Sequence, residues 1–178
     1  AQSFDKHAWP DPSQLNYSYL DEFACVMPSG MKAIVYSYDG LLENVIELMG
    51  YNNLCMMLYD HPDLVSNIFE KVGELLYKYF TFALDHPLVG AIMCNDDWGF
   101  NTQTLLSPSD LRKYVFPWYK RYVEYAHSKG KYAILHSCGL YRDIIGDIVD
   151  DMKFDGRHSY EDNIVPVEKA YEELKGKI

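Results

Sequence analysis

Apolar and polar positions along this chain change period several times, and each change marks an element. Lys32 to Tyr38 (KAIVYSY) is a short β-branched and aromatic run that predicts a strand. Gly40 to Met49 switches to helical spacing and stops at Gly50, a residue suited to a helix C-terminus. Asn53 to Tyr59 is short, apolar and predicted helical. Pro62 then stands where a first-turn proline belongs, and Leu64, Val65, Ile68, Phe69, Val72, Leu75, Leu76 and Phe80 mark one face of a long amphipathic helix reaching about Leu84. Leu88 to Cys94 (LVGAIMC) is a continuous apolar run, as expected of a strand buried on both faces.

The alternation continues. Ser107-Pro108-Ser109-Asp110 has a capping serine, a first-turn proline and an early acid, and so opens a helix that runs to Ser128 and ends at Gly130. Pro117 lies inside it and should kink or split it. Tyr132 to His136 (YAILH) is the next buried strand, Tyr141 to Met152 a helix, Phe154 to Tyr160 a weaker strand, and Pro166 to Leu174 a last helix. Turn chemistry at Trp9-Pro10-Asp11-Pro12 and Pro28-Ser29-Gly30 makes residues 1–31 an irregular lead-in to the strand–helix units of 32–178, the whole forming a single domain. Strands alternating with helices imply an α/β fold with parallel pairing through right-handed crossovers. Four such units fit either a doubly wound sheet or part of a closed eight-stranded barrel, and the pattern alone does not choose.

Composition narrows the partners. A net charge of −10 repels phosphate backbones and anionic lipid, which argues against nucleic acid and membrane surfaces. No apolar run approaches the roughly 20 residues of a membrane span, and Ala1-Gln2-Ser3-Phe4-Asp5 lacks the basic start and apolar core of a targeting segment, so a cytoplasmic location is expected. Cys25, Cys55, Cys94 and Cys138 are widely spaced; buried thiols or ligands are expected rather than disulfides, with Cys25 and Cys55 structural. Arg112, Lys113, Lys120 and Arg121 read as a solvated helix face.

Titratable residues gather where the later strands end: Cys94-Asn95-Asp96-Asp97, His136-Ser137-Cys138 and His158-Ser159-Tyr160-Glu161-Asp162. In both candidate folds ligands bind beyond these carboxyl ends. His136 and Cys138 are two apart on extended chain, so their side chains share a face and can converge on one ion such as zinc. The alternative is a hydrogen-bonded histidine and a buried thiol. Asp96 and Asp97 are candidates for general acid/base work, for anchoring a substrate or for ligating a metal, with helix or loop capping as the other reading. Trp98, His158 and Glu161 are candidates for substrate contact, or, in the case of His158 and Glu161, for adding metal ligands or orienting them; packing for Trp98 and a solvated loop for the other two are the alternatives. Phosphate-loop, serine-elbow and HExxH motifs are missing.

These residues carry a resemblance. Asp96-Asp97-Trp98-Gly99, Leu106-Ser107-Pro108, Phe116-Pro117-Trp118-Tyr119-Lys120, Ala126-His127-Ser128-Lys129-Gly130-Lys131, Leu135-His136-Ser137-Cys138-Gly139 and His158-Ser159-Tyr160-Glu161-Asp162 look like the uroporphyrinogen decarboxylase superfamily. Gly40-Leu41-Leu42-Glu43 and Glu47-Leu48-Met49-Gly50-Tyr51 fit it as well. The resemblance implies a (β/α)₈ TIM barrel, of which this chain covers about half. Within the superfamily the His-x-Cys-Gly motif is similar to that of zinc methyltransferases, which move a methyl group between a corrinoid (cobalamin) protein and a thiol such as coenzyme M. The arginine-rich N-terminal motif of the cofactor-free tetrapyrrole decarboxylases is not present, and Asp97-Trp98-Gly99 matches their loop only partly. By resemblance His136 and Cys138 are zinc ligands, and a third, a cysteine, lies beyond Ile178. The implied chemistry is thiolate activation at zinc followed by attack on a methyl–cobalt carbon. A decarboxylase using Asp96 or Asp97, and an inactive barrel fragment or assembly module, are the alternatives. Four parallel strands without closure leave two sheet edges, from which a homo-oligomer is expected.

Overall fold

Parallel strands that follow one another in sequence need crossovers, and the spacing of apolar runs supplies a helix for each. The structure, a computed structural model, describes residues 2–178. Strands β1 (Ala33–Tyr36), β2 (Val89–Asn95), β3 (Tyr132–His136) and β4 (Gly156–His158) form one sheet in sequence order, each neighbouring pair parallel. Helices α1 (Gln2–Lys6) and α2 (Ser18–Val26) precede the sheet; α3 (Leu41–Met49), α4 (Tyr51–Asp60) and α5 (Pro62–Asp85) make the first crossover. A single turn, α6 (Pro108–Asp110), leads toward α7 (Phe116–Ser128) in the second crossover, and α8 (Val167–Leu174) follows β4.

The two faces of the sheet differ. Ile92, Cys94, Ala133 and Leu135 point to one face and are buried beneath α5, which packs on β2, and α7, which packs on β3. Ile34, Tyr36 and Tyr132 point to the other face and remain more than half exposed. Register rows on that second face run Tyr36–Met93–Ile134–Gly156 and Asn95–His136–His158. Helices on one face of a parallel sheet, with the opposite face free, is the layout of one side of a (β/α)₈ barrel, here with four of the eight strands.

An aromatic layer joins helices to strands. Trp98, Tyr119 and Tyr122 are fully buried, and Tyr122 stacks near Phe80 and Tyr77. Burying these rings is affordable because their hydroxyls are used: Tyr122 donates to the Gly73 carbonyl at 2.9 Å, and Tyr119 accepts from the Leu41 amide at 3.1 Å. Gly73 admits the Trp118 ring, whose atoms would lie 2.4 Å from any Cβ placed there.

Four points of the structure correct or refine the sequence expectations. The lead-in is not irregular throughout, since Ser18–Val26 is helical and buries Leu20. The helix expected from Ser107 is present without a break over 108–128, and the change expected at Pro117 is a wide turn, Leu111–Val115, in which the Phe116 amide reaches Leu111; Pro117 then stands in the first turn of α7, where no amide hydrogen is needed. The helix expected over 141–152 is present over 142–151, but its ladder passes from a tight turn, Arg142–Ile144, to a wide one, Asp147–Asp151, while Ile144, Ile148 and Met152 keep the helical spacing and are buried. Cys25 is exposed rather than buried; all four cysteines are free. Arg112 and Lys120 stay on the surface as expected but pair with Asp147 and Asp151. No helix of the described residues is long and apolar enough to cross a membrane.

Candidate metal centre

The chemistry-bearing residues sit where β2, β3 and β4 run out. The Asn95–His136–His158 row is the last of the sheet, and the chain leaving each strand turns over its carboxyl end. The turns are tied together by backbone bonds, Asp96 N–H to the His136 carbonyl at 3.0 Å and Ser137 N–H to the His158 carbonyl at 2.7 Å. Two glycines let the loops touch. Gly139 has φ +85°, and a Cβ on it would lie 2.2 Å from the Gly99 carbonyl atoms, so the 96–99 and 137–140 loops cross with backbone against backbone.

At this crossing three different donors converge. Asp97, His136 and Cys138 each offer one ligand atom, all within 4.8 Å of one another. His136 Nε2 is 3.8 Å from Cys138 Sγ and 3.9 Å from Asp97 Oδ1. A tetrahedral zinc at ~2.0–2.3 Å from each donor holds its donors ~3.3–3.8 Å apart, so this corner needs only small closure around an ion. The donor chemistry fits as well. Burial, and next the Asp97 carboxylate, push the Cys138 thiol above its ordinary range, and burial, then His158, lowers His136. A thiol held protonated beside a carboxylate and a neutral imidazole lacks a cation; a divalent ion would reverse the shift of the thiol and add to that of the histidine, favouring thiolate and unprotonated imidazole alike. The site is reachable, with the Asp97 side chain 38% exposed and that of His136 24%.

The surrounding residues hold these three in place. Asp97 Oδ1 accepts the Cys138 amide at 2.7 Å, and Glu161 Oε1 accepts the Gly139 amide at 2.8 Å, so two acids from different strands grip the Cys138-Gly139 turn. His136 Nδ1 lies 2.6 Å from His158 Nδ1. Arg157 alternates with His158 onto the helix-covered face, where it is 8% exposed. It donates to the carbonyls of Ser137 at 2.8 Å and Ser159 at 2.7 Å and lies over the Tyr141 ring. Arg157 has no place in the sequence reading, and Ser137 and Ser159 stand there within their motifs without a role. The signal for Arg157 was its position in Gly156-Arg157-His158, where alternation sends it away from the histidine.

Two sequence expectations are corrected. Asp96 is not a general acid/base facing the site. It is fully buried, and its carboxylate accepts from the Leu42 amide, the Glu43 amide and the Trp98 indole at 3.0, 3.0 and 2.8 Å. Burial pushes it up to about 6 against the pull of those donors. It caps α3 from across the sheet, the capping alternative weighed for this pair. Trp98 is no substrate platform, because its ring is fully buried between Phe116 and Tyr119. Asp97, one residue on, points the other way and is one of three groups that could hold a metal ion.

The chain is similar in fold to a methyltransferase from Methanosarcina mazei, with a TM-score of 0.68 and 17% identity over 88% of this chain. It spans 44% of the length of that structure. No curated protein matches the chain significantly. The uroporphyrinogen decarboxylase (URO-D) profile matches residues 42–178, a stretch that contains all three loops of the site. The chain belongs to the uroporphyrinogen decarboxylase family.

Proposed function

We propose that this chain carries the metal-binding part of a methyl-transfer site, with zinc held by Asp97, His136 and Cys138 and the methyl group passing between a corrinoid protein and a thiol acceptor. The observation that carries the reading is the convergence of a carboxylate, an imidazole and a thiol at the carboxyl end of parallel strands. Similarity in fold to a methyltransferase supports it. Asp97 takes a third donor place that the resemblance assigned to a cysteine outside residues 1–178.

Zinc, when bound, supplies a Lewis acid that holds a thiol as thiolate. The chain's own residues do the rest. Asp97 and an ionised Cys138 bring two negative charges, which offset the charge of a divalent ion and keep the site neutral before an acceptor thiolate arrives. Glu161 and Asp97 hold the turn that carries Cys138, and the open sheet face gives the acceptor its approach. The decarboxylase alternative is weaker here, since one of its two candidate acids, Asp96, is spent inside the core on capping.

Zinc content of the purified chain after loading and desalting tests the reading. About one equivalent is expected for the wild type, and a loss of most of it in His136→Ala and Cys138→Ser. A wild-type chain that keeps no zinc, or variants that keep as much as wild type, would overturn it. Demethylation of methylcobalamin by a small thiol, followed by its absorbance, then reports the transfer itself.

A further inference from the structure

The His136–His158 contact constrains which nitrogen of His136 is free. The two residues are register partners on β3 and β4, their ring centroids are 4.8 Å apart, and Nδ1 of each faces Nδ1 of the other at 2.6 Å. Two imidazole nitrogens at that distance share one hydrogen: one ring donates and the other accepts with a bare lone pair. The direction of donation decides what His136 can do. If His158 donates, neutral His136 carries its own proton on Nε2, and Nε2 has no lone pair for an ion. If His136 donates from Nδ1, its Nε2 is bare and faces Cys138 Sγ at 3.8 Å and Asp97 Oδ1 at 3.9 Å.

We propose that His158 is a positioning residue: by accepting from Nδ1–H of His136 it fixes that ring in the tautomer whose bare Nε2 points into the Asp97–Cys138 corner. His158 then carries its own proton on Nε2, and it is neither a metal ligand nor a substrate contact. The proposal rests on the reading of Asp97, His136 and Cys138 as a divalent-cation site. Free neutral imidazole favours the proton on Nε2, so an unassisted His136 would present the wrong tautomer most of the time; an acceptor at Nδ1 reverses that preference. The acceptor is itself held. The His158 carbonyl is bonded to the Ser137 amide, and the flanking Arg157 guanidinium bridges the carbonyls of Ser137 and Ser159, so the two strand ends cannot separate without breaking both ties.

Two measurements test it. In the metal-free chain labelled at the histidine ring nitrogens, His136 is expected to show a pyridine-type Nε2 and a pyrrole-type Nδ1, and His158→Ala to move both signals toward the free-imidazole mixture. A pyrrole-type Nε2 in the wild type, or no change in the variant, would overturn the proposal without involving any metal. Zinc affinity, read by competition with a chromophoric chelator, is expected to fall about 10–100-fold in His158→Ala. His158→Asn, whose amide oxygen can accept from Nδ1–H, is expected to recover most of that loss. Failure of the asparagine variant to recover it would mean that the second imidazole itself is required, and would also overturn the proposal. If His158→Ala binds zinc like the wild type while Cys138→Ser does not, the positioning role fails and the cation site stands. If Cys138→Ser and His136→Ala also bind like the wild type, the cation site fails, and the ring-nitrogen signals still decide the tautomer.

Discussion

His136 and Cys138 stand two apart at the end of a strand, and that spacing alone placed both side chains on one face. What the spacing did not contain was the third donor. Asp97 lies 39 positions before His136, and only the parallel register of β2 and β3 brings them together, through a loop crossing that depends on Gly99 and Gly139 having no side chains. The two aspartates of Asp96-Asp97 are indistinguishable by type and have opposite fates, one capping a helix in the core and one facing the site, because neighbouring residues leaving a strand point opposite ways. Gly139 is the residue on which the crossing turns. A Cβ there would meet the Gly99 carbonyl at 2.2 Å in a backbone with φ +85°, so neither rotation nor a flexible neighbour relieves it. Gly139→Ala is expected to cost roughly 2–4 kcal/mol in urea unfolding and to weaken zinc binding by parting the two loops. Unchanged stability and unchanged affinity would show that the crossing is not needed.

At the scale of elements, the strand–helix order was legible because it follows from apolar period, and the positions of β2, β3, α3 and α5 agree with it to within a residue or two. The helices over 108–128 and 142–151 were legible, and Pro117 announced a change in the first, but the wide turns inside them were not, since the apolar spacing stays helical while the hydrogen-bond ladder changes. The start of α3 was legible but its cap was not, because the cap comes from the residue that follows β2. Asp96 accepts the Leu42 and Glu43 amides, while the Glu43 carboxylate accepts the Gly40 amide at 3.2 Å. Packing two acids at one helix start has a consequence for pH. Burial first, and then the charge of Asp96, push Glu43 from 4.5 up to about 7. The folded chain therefore holds a proton that the unfolded chain releases near pH 4.5. The stability this gives is present at low pH and is lost as pH rises from about 4.5 to 7. Glu43→Gln keeps an oxygen for the Gly40 amide and has no charge to bury. Relative to wild type it should become more stable as pH is raised from 5 to 8, by about 1–2 kcal/mol after allowance for partial solvation. Parallel unfolding curves for the two proteins across that range would remove Glu43 as the source.

Considered whole, the molecule separates its two tasks by position. Apolar burial lies under α5 and α7 on one face of the sheet, and the polar constellation lies at one end of it, beyond the last register row. The order of strands and helices sets the fold class, but the number of strands in a closed barrel is not a local property. Four strand–helix units read the same in either α/β architecture until the helices are seen on one face alone. Because the site is assembled from three loops that otherwise meet through a few hydrogen bonds, an ion bound there ties β2 and β3 together in the folded chain and has no such set of donors in the unfolded one. Binding must then raise stability by linkage: free zinc at ~100 times its dissociation constant contributes ~2.7 kcal/mol. For a chain of 178 residues that corresponds to a rise in Tm of roughly 5–10 °C. The rise should reverse on adding a chelator and should be absent in Cys138→Ser. A core variant such as Val65→Ala, whose fully buried side chain on α5 is none of the three donors, should lower the starting Tm and leave the zinc-dependent rise intact. A rise that persists in Cys138→Ser would place the ion elsewhere on this acidic surface. Loss of the rise in Val65→Ala would show that the site and the core are one cooperative unit rather than two.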